Sequence, residues 1–347
     1  MRFGLIGVGG IGRVRIKALE ESTNCSFTAV YDIDKNIKNI VGKDVQVFNS
    51  FEQLAASDAC DAVIISTPPN FHLEQAVACL EGGKHVIVEK PMASSLAECK
   101  KMLETARKEK KILTVGFNHR YFDAIKTVRT AIQSGDIGEL SYIRAYGGHT
   151  GLSEFKSPWM YDKDIMGGGT MMDNGIHVLD LTQHLMGGVK SVYGFALNDI
   201  WKLDRSEDNG FALLRGNNGV VASLHSSWTE WKGYHFSIEA YGSKGMARAY
   251  YAPMMSTVIT MEHKGGPKKT KRNFYLPAIF REKFKGWQTT VIQTFVDEFN
   301  DFIALTKGES EGTVIASADD GYRAIEIVNG IYESSKTGSA VVLDETI

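Results

Sequence analysis

Short, almost unbroken apolar runs punctuate the first third of the chain, at 3–7, 27–31, 45–48, 62–66, 85–88 and 112–116. A run of four or five residues without polar alternation fits a strand buried on both faces. Between these runs the apolar positions recur at helical spacing, over Gly10–Glu21, Phe51–Ala56, His72–Glu81 and Ser95–Lys108. Ser94-Ser95 followed by Glu98 has the form of a capping box at the start of the last of these. Regular strand–helix alternation predicts a doubly wound parallel sheet.

The pattern changes near residue 120. After one helix, Asp123–Ser134, longer alternating segments follow at 139–148, 190–198, 209–215, 219–230, 234–241, 245–252 and 257–263. Several are joined by glycine turns, such as Gly216-Asn217-Asn218-Gly219 and Gly242-Ser243-Lys244-Gly245. Alternation of this kind predicts a large, mainly antiparallel sheet. Further helices are expected within Gly168–Met186, near Trp287–Lys307 and over Ser317–Ser335. The chain therefore divides into an N-terminal domain, 1–119, and a C-terminal α+β domain, 120–347, within the α/β class.

The first apolar run ends in Gly7-Val8-Gly9-Gly10-Ile11-Gly12, and Asp32 closes the second run twenty residues after Gly12. Gly7, Gly9 and Gly12 match G-x-G-x-x-G between a strand and a helix, the fingerprint of a Rossmann dinucleotide site. Gly7 serves the tight turn, Gly9 lets a pyrophosphate approach the backbone, and Gly12 lets helix and strand pack closely. The first N–H groups of the helix, from Gly10 and Ile11 onward, carry a partial positive charge for the phosphates. Asp32 is placed to accept hydrogen bonds from both hydroxyls of the adenosine ribose and to repel a 2′-phosphate, which selects NAD over NADP.

The bulk numbers remove whole classes of function. The 347 residues are 43% hydrophobic and 23% charged with a net charge of −2, which suits a globular protein and gives no reason to expect nucleic acid or an anionic membrane as partner. No apolar stretch approaches the roughly 20 residues of a membrane span. Cys25, Cys60, Cys79 and Cys99 are scattered without C-x-x-C spacing, as in a reducing compartment, and a strand that starts at residue 3 leaves no room for a leader, so the cytoplasm is the expected location. The segment 264–285, with Lys264, Lys268, Lys269, Lys271, Arg272, Arg281, Lys283 and Lys285, reads as an exposed loop or flap. Its functional alternative is contact with an anionic substrate or a neighbouring subunit.

Three clusters could carry chemistry. Thr67-Pro68-Pro69-Asn70-Phe71-His72 follows the fourth run, where a doubly wound sheet presents its ligand site. Thr67 and Asn70 could line a cofactor there, or Asn70 could cap the next helix. Lys90, in Glu89-Lys90-Pro91 after the fifth run, could hydrogen-bond the oxygen of a reacting alcohol or carbonyl and stabilise a developing alkoxide. In Gly167-Gly168-Gly169-Thr170-Met171-Met172-Asp173-Asn174-Gly175-Ile176-His177, a helix would put Asp173 and His177 on one face, a carboxylate partnering a proton-transfer imidazole. Asp180 and His184 fall near the same stripe, which leaves a metal site as an alternative, though none is assigned.

Taken in order, these motifs resemble the Gfo/Idh/MocA family of NAD(P)-dependent oxidoreductases, together with Gly116-Phe117-Asn118-His119-Arg120-Tyr121 and Asp320-Gly321-Tyr322-Arg323-Ala324. The resemblance implies a Rossmann domain followed by a domain with an open sheet that forms the interface of a homodimer or homotetramer. It implies that Gly7, Gly9, Gly10, Ile11, Gly12, Asp32, Thr67, Pro68, Asn70, His72, Glu89, Lys90 and Asn118 bind the cofactor, NAD. It further implies that Lys90, Asp173 and His177 are catalytic and share the substrate with Arg120 and Trp159. Many members carry Trp-Arg before the glycine run, where this chain has Trp159-Met160. The expected reaction is hydride transfer between NAD(H) and a hydroxyl or ketone of a sugar, an inositol-like polyol or a nucleotide sugar. The alternatives are an NAD-dependent glycosidase that oxidises transiently, and a non-enzymatic NAD(H) sensor.

Overall fold

The computed structural model describes residues 1–151, 157–263 and 265–344. The chain forms two compact units. The first comprises Met1–Asn118 with Phe284–Tyr322, and the second His119–Lys283 with Arg323–Ile347. The first crossing, between residues 118 and 119, lies next to the expected boundary. The expected continuous second domain, 120–347, is instead interrupted, because 284–322 returns to the first unit. The reason is burial: Phe299 and Phe302 from this late segment pack on Phe3 of the first strand, with ring centroids 5.4 and 5.9 Å apart.

The first unit runs β1 (Arg2–Ile6), α1 (Gly10–Glu21), β2 (Ser26–Tyr31), β3 (Gln46–Val47), α2 (Phe51–Ala56), β4 (Ala62–Ile65), α3 (His72–Glu81), β5 (His85–Val88), α4 (Leu96–Glu109) and β6 (Leu113–Val115). The strands lie in the order β3-β2-β1-β4-β5-β6, all parallel. Every residue of β4 is buried, as a strand covered on both faces requires. Ser95 and Glu98 form the expected capping box at α4.

The second unit holds α5 (Asp123–Gln133), β7 (Leu140–Gly148), α6 (Lys163–Met166), α7 (Gly175–Met186), β8 (Ser191–Leu197), β9 (Asn209–Arg215), β10 (Val221–Ser227), β11 (His235–Gly242), β12 (Gly245–Tyr251), β13 (Met255–Met261), β14 (Lys268–Phe274) and α8 (Leu276–Lys285). The first unit then takes α9 (Gln288–Thr306) and β15 (Ala316–Ser317), which pairs antiparallel with β6. Helix α10 (Ala318–Thr337) leads back to the second unit and β16 (Val341–Val342). The second sheet has the order β14-β13-β12-β11-β7-β10-β9-β8-β16, antiparallel except where β7 meets β10. Alternation sorts its faces: Ala212, Leu214, Ala222 and Leu224 are buried, while Phe211, Leu213 and Val221 point outward.

The basic segment is not a loop. Within its described part, 268–274 is the edge strand β14, paired with β13, and 276–285 is α8. Lys264 lies outside the described residues. A row of lysines gives no apolar alternation to read, yet it suits an edge, where charge blocks further strand pairing.

Candidate functional site

The glycine fingerprint closes the turn from β1 to α1. Gly7 has φ of +89°, a region open to glycine, and a Cβ there would sit 2.9 Å from the Thr67 backbone nitrogen. A Cβ at Gly12 would meet the Gly7 carbonyl oxygen at 2.3 Å, so only glycine lets the helix lie this close to the strand. At Gly9 and Gly10 a Cβ would meet nothing within 4 Å, and both residues are exposed. The backbone there is bare toward open space, at the amino end of α1. Asp32, just past β2, is tied to this loop: its carboxylate accepts the Val8 N–H at 2.5 Å and the Asp34 N–H at 2.8 Å.

Beyond β4, Thr67 donates its hydroxyl to Gln75 at 2.6 Å, and Pro68 is half-buried beside it. Asn70 does not cap α3, whose N-cap is Phe71 without a side-chain bond. Instead Asn70 Oδ1, like Ser66 Oγ, is buried without a hydrogen-bond partner among the described residues. Such orphaned polar atoms are costly unless a ligand or water completes them. With the bare glycine backbone and Asp32, they fit a dinucleotide: Gly9, Gly10 and Ile11 for the pyrophosphate, Asp32 for the ribose, Ser66 and Asn70 for further polar contacts.

Two expected cofactor residues are placed elsewhere. His72 is fully buried, its ring nitrogens 2.8 Å from the Thr67 carbonyl oxygen and 3.1 and 3.2 Å from those of Pro91 and Met92. It ties the segment after β4 to the segment after β5 and has no surface to offer a ligand. Burial holds its ring pKa below the ordinary value. Glu89 is likewise turned inward, accepting from Arg15 Nε at 2.7 Å, and Arg15 also pairs with Glu298. Lys90 follows directly, half-buried at the carboxyl end of β5. Asn118 is buried and donates its amide to Thr294 Oγ1 at 3.1 Å.

In the second unit, the glycine run forms the turn into α7. Glu207, buried, clamps it by accepting the N–H groups of Gly169 at 2.9 Å and Met171 at 2.8 Å, and the Tyr332 hydroxyl at 2.9 Å. A Cβ at Gly169 would lie 2.1 Å from the Glu207 carbonyl oxygen, so the close approach requires glycine. Burial pushes the Glu207 carboxyl pKa up.

Asp173 therefore sits in this turn and not on α7, which begins at Gly175. Its Oδ2 accepts His149 Nε2 and Trp228 Nε1, each at 3.0 Å, two ring N–H donors from the ends of β7 and β10 that the spacing to His177 did not suggest. His177, on the first turn of α7 and 9% exposed, stacks on His119 with centroids 3.9 Å apart and planes 26° from parallel. His119 in turn stacks on Phe236 at 4.9 Å and meets the Tyr234 hydroxyl at 3.2 Å. Burial and the charge of Asp173 push the Tyr234 phenol pKa up.

Arg120, expected at the substrate, is buried and bidentate to Asp180, Nε to Oδ2 at 2.7 Å and Nη2 to Oδ1 at 2.5 Å. A fork–fork pair of this kind fixes the plane and direction of the guanidinium. It also removes Asp180 from the stripe that suggested a metal, and no three metal-ligating side chains converge among the described residues. Trp159 is half-buried on a one-turn helix, Pro158–Tyr161, from which Tyr161 sets its ring edge against Trp228 at 5.2 Å.

Residues 1–117 match the oxidoreductase family with NAD-binding Rossmann fold, and residues 125–248 match the GFO/IDH/MocA C-terminal domain. The chain is 27% identical to myo-inositol 2-dehydrogenase of Thermotoga maritima over the full length of both. It is 31% identical to scyllo-inositol 2-dehydrogenase (NADP(+)) of Bacillus subtilis, over 87% of this chain and 84% of that one. Among solved structures, levoglucosan dehydrogenase in complex with NADH and levoglucosan shares the fold, with a TM-score of 0.86 at 23% identity over 99% of this chain and 100% of that one.

Proposed function

Because this chain belongs to the Gfo/Idh/MocA oxidoreductase family, we propose that it is an NAD-dependent dehydrogenase acting on a CH–OH group of a sugar, an inositol-like polyol or a nucleotide sugar. One observation carries this reading. A dinucleotide cradle ending on Asp32 occurs in the same chain as a buried imidazole, His177, set just after a carboxylate, Asp173, that two ring N–H donors hold in place. A protein that only sensed NAD(H) would have no use for a proton-transfer group. The names of the relatives, for myo-inositol, scyllo-inositol and levoglucosan, support a substrate rich in hydroxyls.

Bound NAD supplies the hydride acceptor. Gly9, Gly10 and Ile11 hold its pyrophosphate, Asp32 its ribose, and Thr67, Pro68, Asn70 and Asn118 line it. The Lys90 ammonium stabilises negative charge on the reacting oxygen. His177 takes the hydroxyl proton, and Asp173 accepts a hydrogen bond from a neighbouring substrate hydroxyl. Trp159 offers an apolar ring face to the sugar. In reduction His177 returns the proton. The deciding experiment is a screen of polyols, free sugars and nucleotide sugars followed by NADH absorbance in both directions. Turnover of one class supports the reading. Release of free sugar from a glycoside without accumulating NADH indicates the transient-oxidation glycosidase, and NADH binding without turnover of any compound indicates a sensor.

Asp32→Ala will weaken NADH binding by about 10- to 100-fold, the worth of a charge-assisted hydrogen-bond pair, and will narrow the preference over NADPH. Fluorescence titration with both dinucleotides reads the effect, and a wild-type preference for NADPH would overturn the cofactor assignment.

The outward face of the second sheet, with Phe195, Phe211 and Leu213 38–60% exposed, supports a homodimer or homotetramer built on it. Leu213→Asp will shift the chain toward monomer in sedimentation velocity. A wild-type monomer would refute the assembly. A cytoplasmic setting is supported by the four free cysteines. Among the described residues no helix is long and apolar enough to cross a membrane.

A further inference from the structure

We infer that His149 and Trp228 are positioning residues: together they fix the direction of the Asp173 carboxylate and keep it ionised. The proton inventory of His149 is legible from its neighbours. Its Nδ1 lies 2.9 Å from the Gly151 backbone nitrogen, which can only donate, so Nδ1 is the acceptor and the ring proton resides on Nε2. That Nε2–H points at Asp173 Oδ2, 3.0 Å away. Trp228 Nε1 can only donate, and it donates to the same oxygen at the same distance. His149 and Trp228 are 1% and 0% exposed, and Asp173 is 4% exposed. In so dry a setting each N–H directed at the carboxylate favours its charged form.

Both donors are themselves held. Trp228 donates its backbone N–H to the Asp208 carbonyl at 2.8 Å and accepts Trp201 Nε1 on its own carbonyl at 2.8 Å. His149 is anchored by its backbone bonds to Ser227 and Glu230, from the end of β10 and beyond. The rings are held as well, His149 by the Gly151 N–H on its Nδ1 and Trp228 by the edge-on Tyr161 ring at 5.2 Å. Titratable groups near Asp173 include Tyr234, whose ionisation the Asp173 charge opposes, and His119, bonded to Tyr234; His177 follows four residues later, on the first turn of α7.

The inference rests on the dehydrogenase reading only in giving Asp173 a substrate to face, and its test needs no substrate. The full-length chain is labelled with 15N at its tryptophan indoles, five in number, and Trp228→Phe assigns the Trp228 signal. That signal reports the protonation of Asp173 through the shared hydrogen bond. In His149→Leu the pH at which it moves will rise by about one unit relative to the unmodified chain. In His149→Gln, which restores an amide donor in place of Nε2–H, it will return most of the way. An unchanged midpoint in His149→Leu overturns the inference. Equal displacement in the leucine and glutamine variants also overturns it, because packing alone would then explain the shift. The four other indole signals show whether each variant is folded. Failure of the dehydrogenase reading would show separately, as no NADH formed from any compound in the screen.

Discussion

His177→Ala will lower kcat for oxidation of the substrate found in the screen by about 10²–10⁴-fold, the range that a positioned general base supplies, while the Kd for NADH stays within about twofold. The separation of effects follows from where the residues lie. The dinucleotide cradle, with Gly7, Gly9, Gly12 and Asp32, belongs to the first unit, and His177 to the second. The ring is held by stacking on His119, which itself stacks on Phe236. A truncated side chain therefore removes one imidazole without unmaking the column beneath it. Lys90→Ala should join it with a loss of comparable order, because in the proposed mechanism its charge steadies the alkoxide. Raising the pH distinguishes the two. An alcohol deprotonates more readily in base, so His177→Ala should recover part of its rate at high pH, and Lys90→Ala should not. Full kcat in His177→Ala at neutral pH, with NADH binding intact, would end its assignment as the base.

The sequence made most of this legible because its strongest signals are local. Unbroken apolar runs placed β1, β2, β4 and β5 within a residue, and alternation placed β7 to β12 almost as closely. The fingerprint carried its own geometry, since Gly7 and Gly12 are required by contacts inside a single turn. What escaped reading depends on partners far apart in the chain. The Asp173–His177 spacing suggested two positions on one helix, yet the helix starts two residues after Asp173, and nothing local announced that the carboxylate also meets His149 and Trp228, 24 and 55 residues away. Arg120 and Glu89 looked like site residues because they are charged and sit beside motifs. Only the fold shows that Asp180 and Arg15 are buried ion-pair partners of these two. His72 looked like a ligand for the same reason and proved to be a tie between two loops. Glu207 carried no signal at all. A single acid in an unremarked stretch becomes important only once the turn it clamps exists in three dimensions.

The buried Arg15 network yields the other large effect. One guanidinium faces two carboxylates, Glu89 and Glu298, and stands 3.6 Å above the Phe295 ring. Arg15 and Glu298 are fully buried and Glu89 nearly so. With all three ionised the cluster would carry a net charge of −1 in a dry interior, an arrangement that protonation of one carboxyl relieves. Burial accordingly pushes the Glu298 pKa up to about 7, against which the Arg15 charge pulls only partly. Arg15→Leu leaves two carboxylates without a cation and should cost about 3–5 kcal/mol of stability, the scale for removing one partner of a buried pair. Denaturant unfolding at pH 7 would measure it. Glu298→Gln should remove a pH dependence of stability. The folded carboxyl retains its proton above the unfolded value of 4.5, so its contribution is complete below that pH and is lost as the pH rises through about 7. The unmodified chain should therefore lose stability on the order of 2 kcal/mol from this group between pH 5 and 8. Glutamine has no proton to lose and still offers Arg15 an oxygen, so the variant should lack that slope. An identical slope in Glu298→Gln would place the titrating proton elsewhere. Loss of the slope, together with the large cost of Arg15→Leu, would identify this triad, which links α9 to α1 and to the strand end that precedes Lys90, as a principal tie within the first unit.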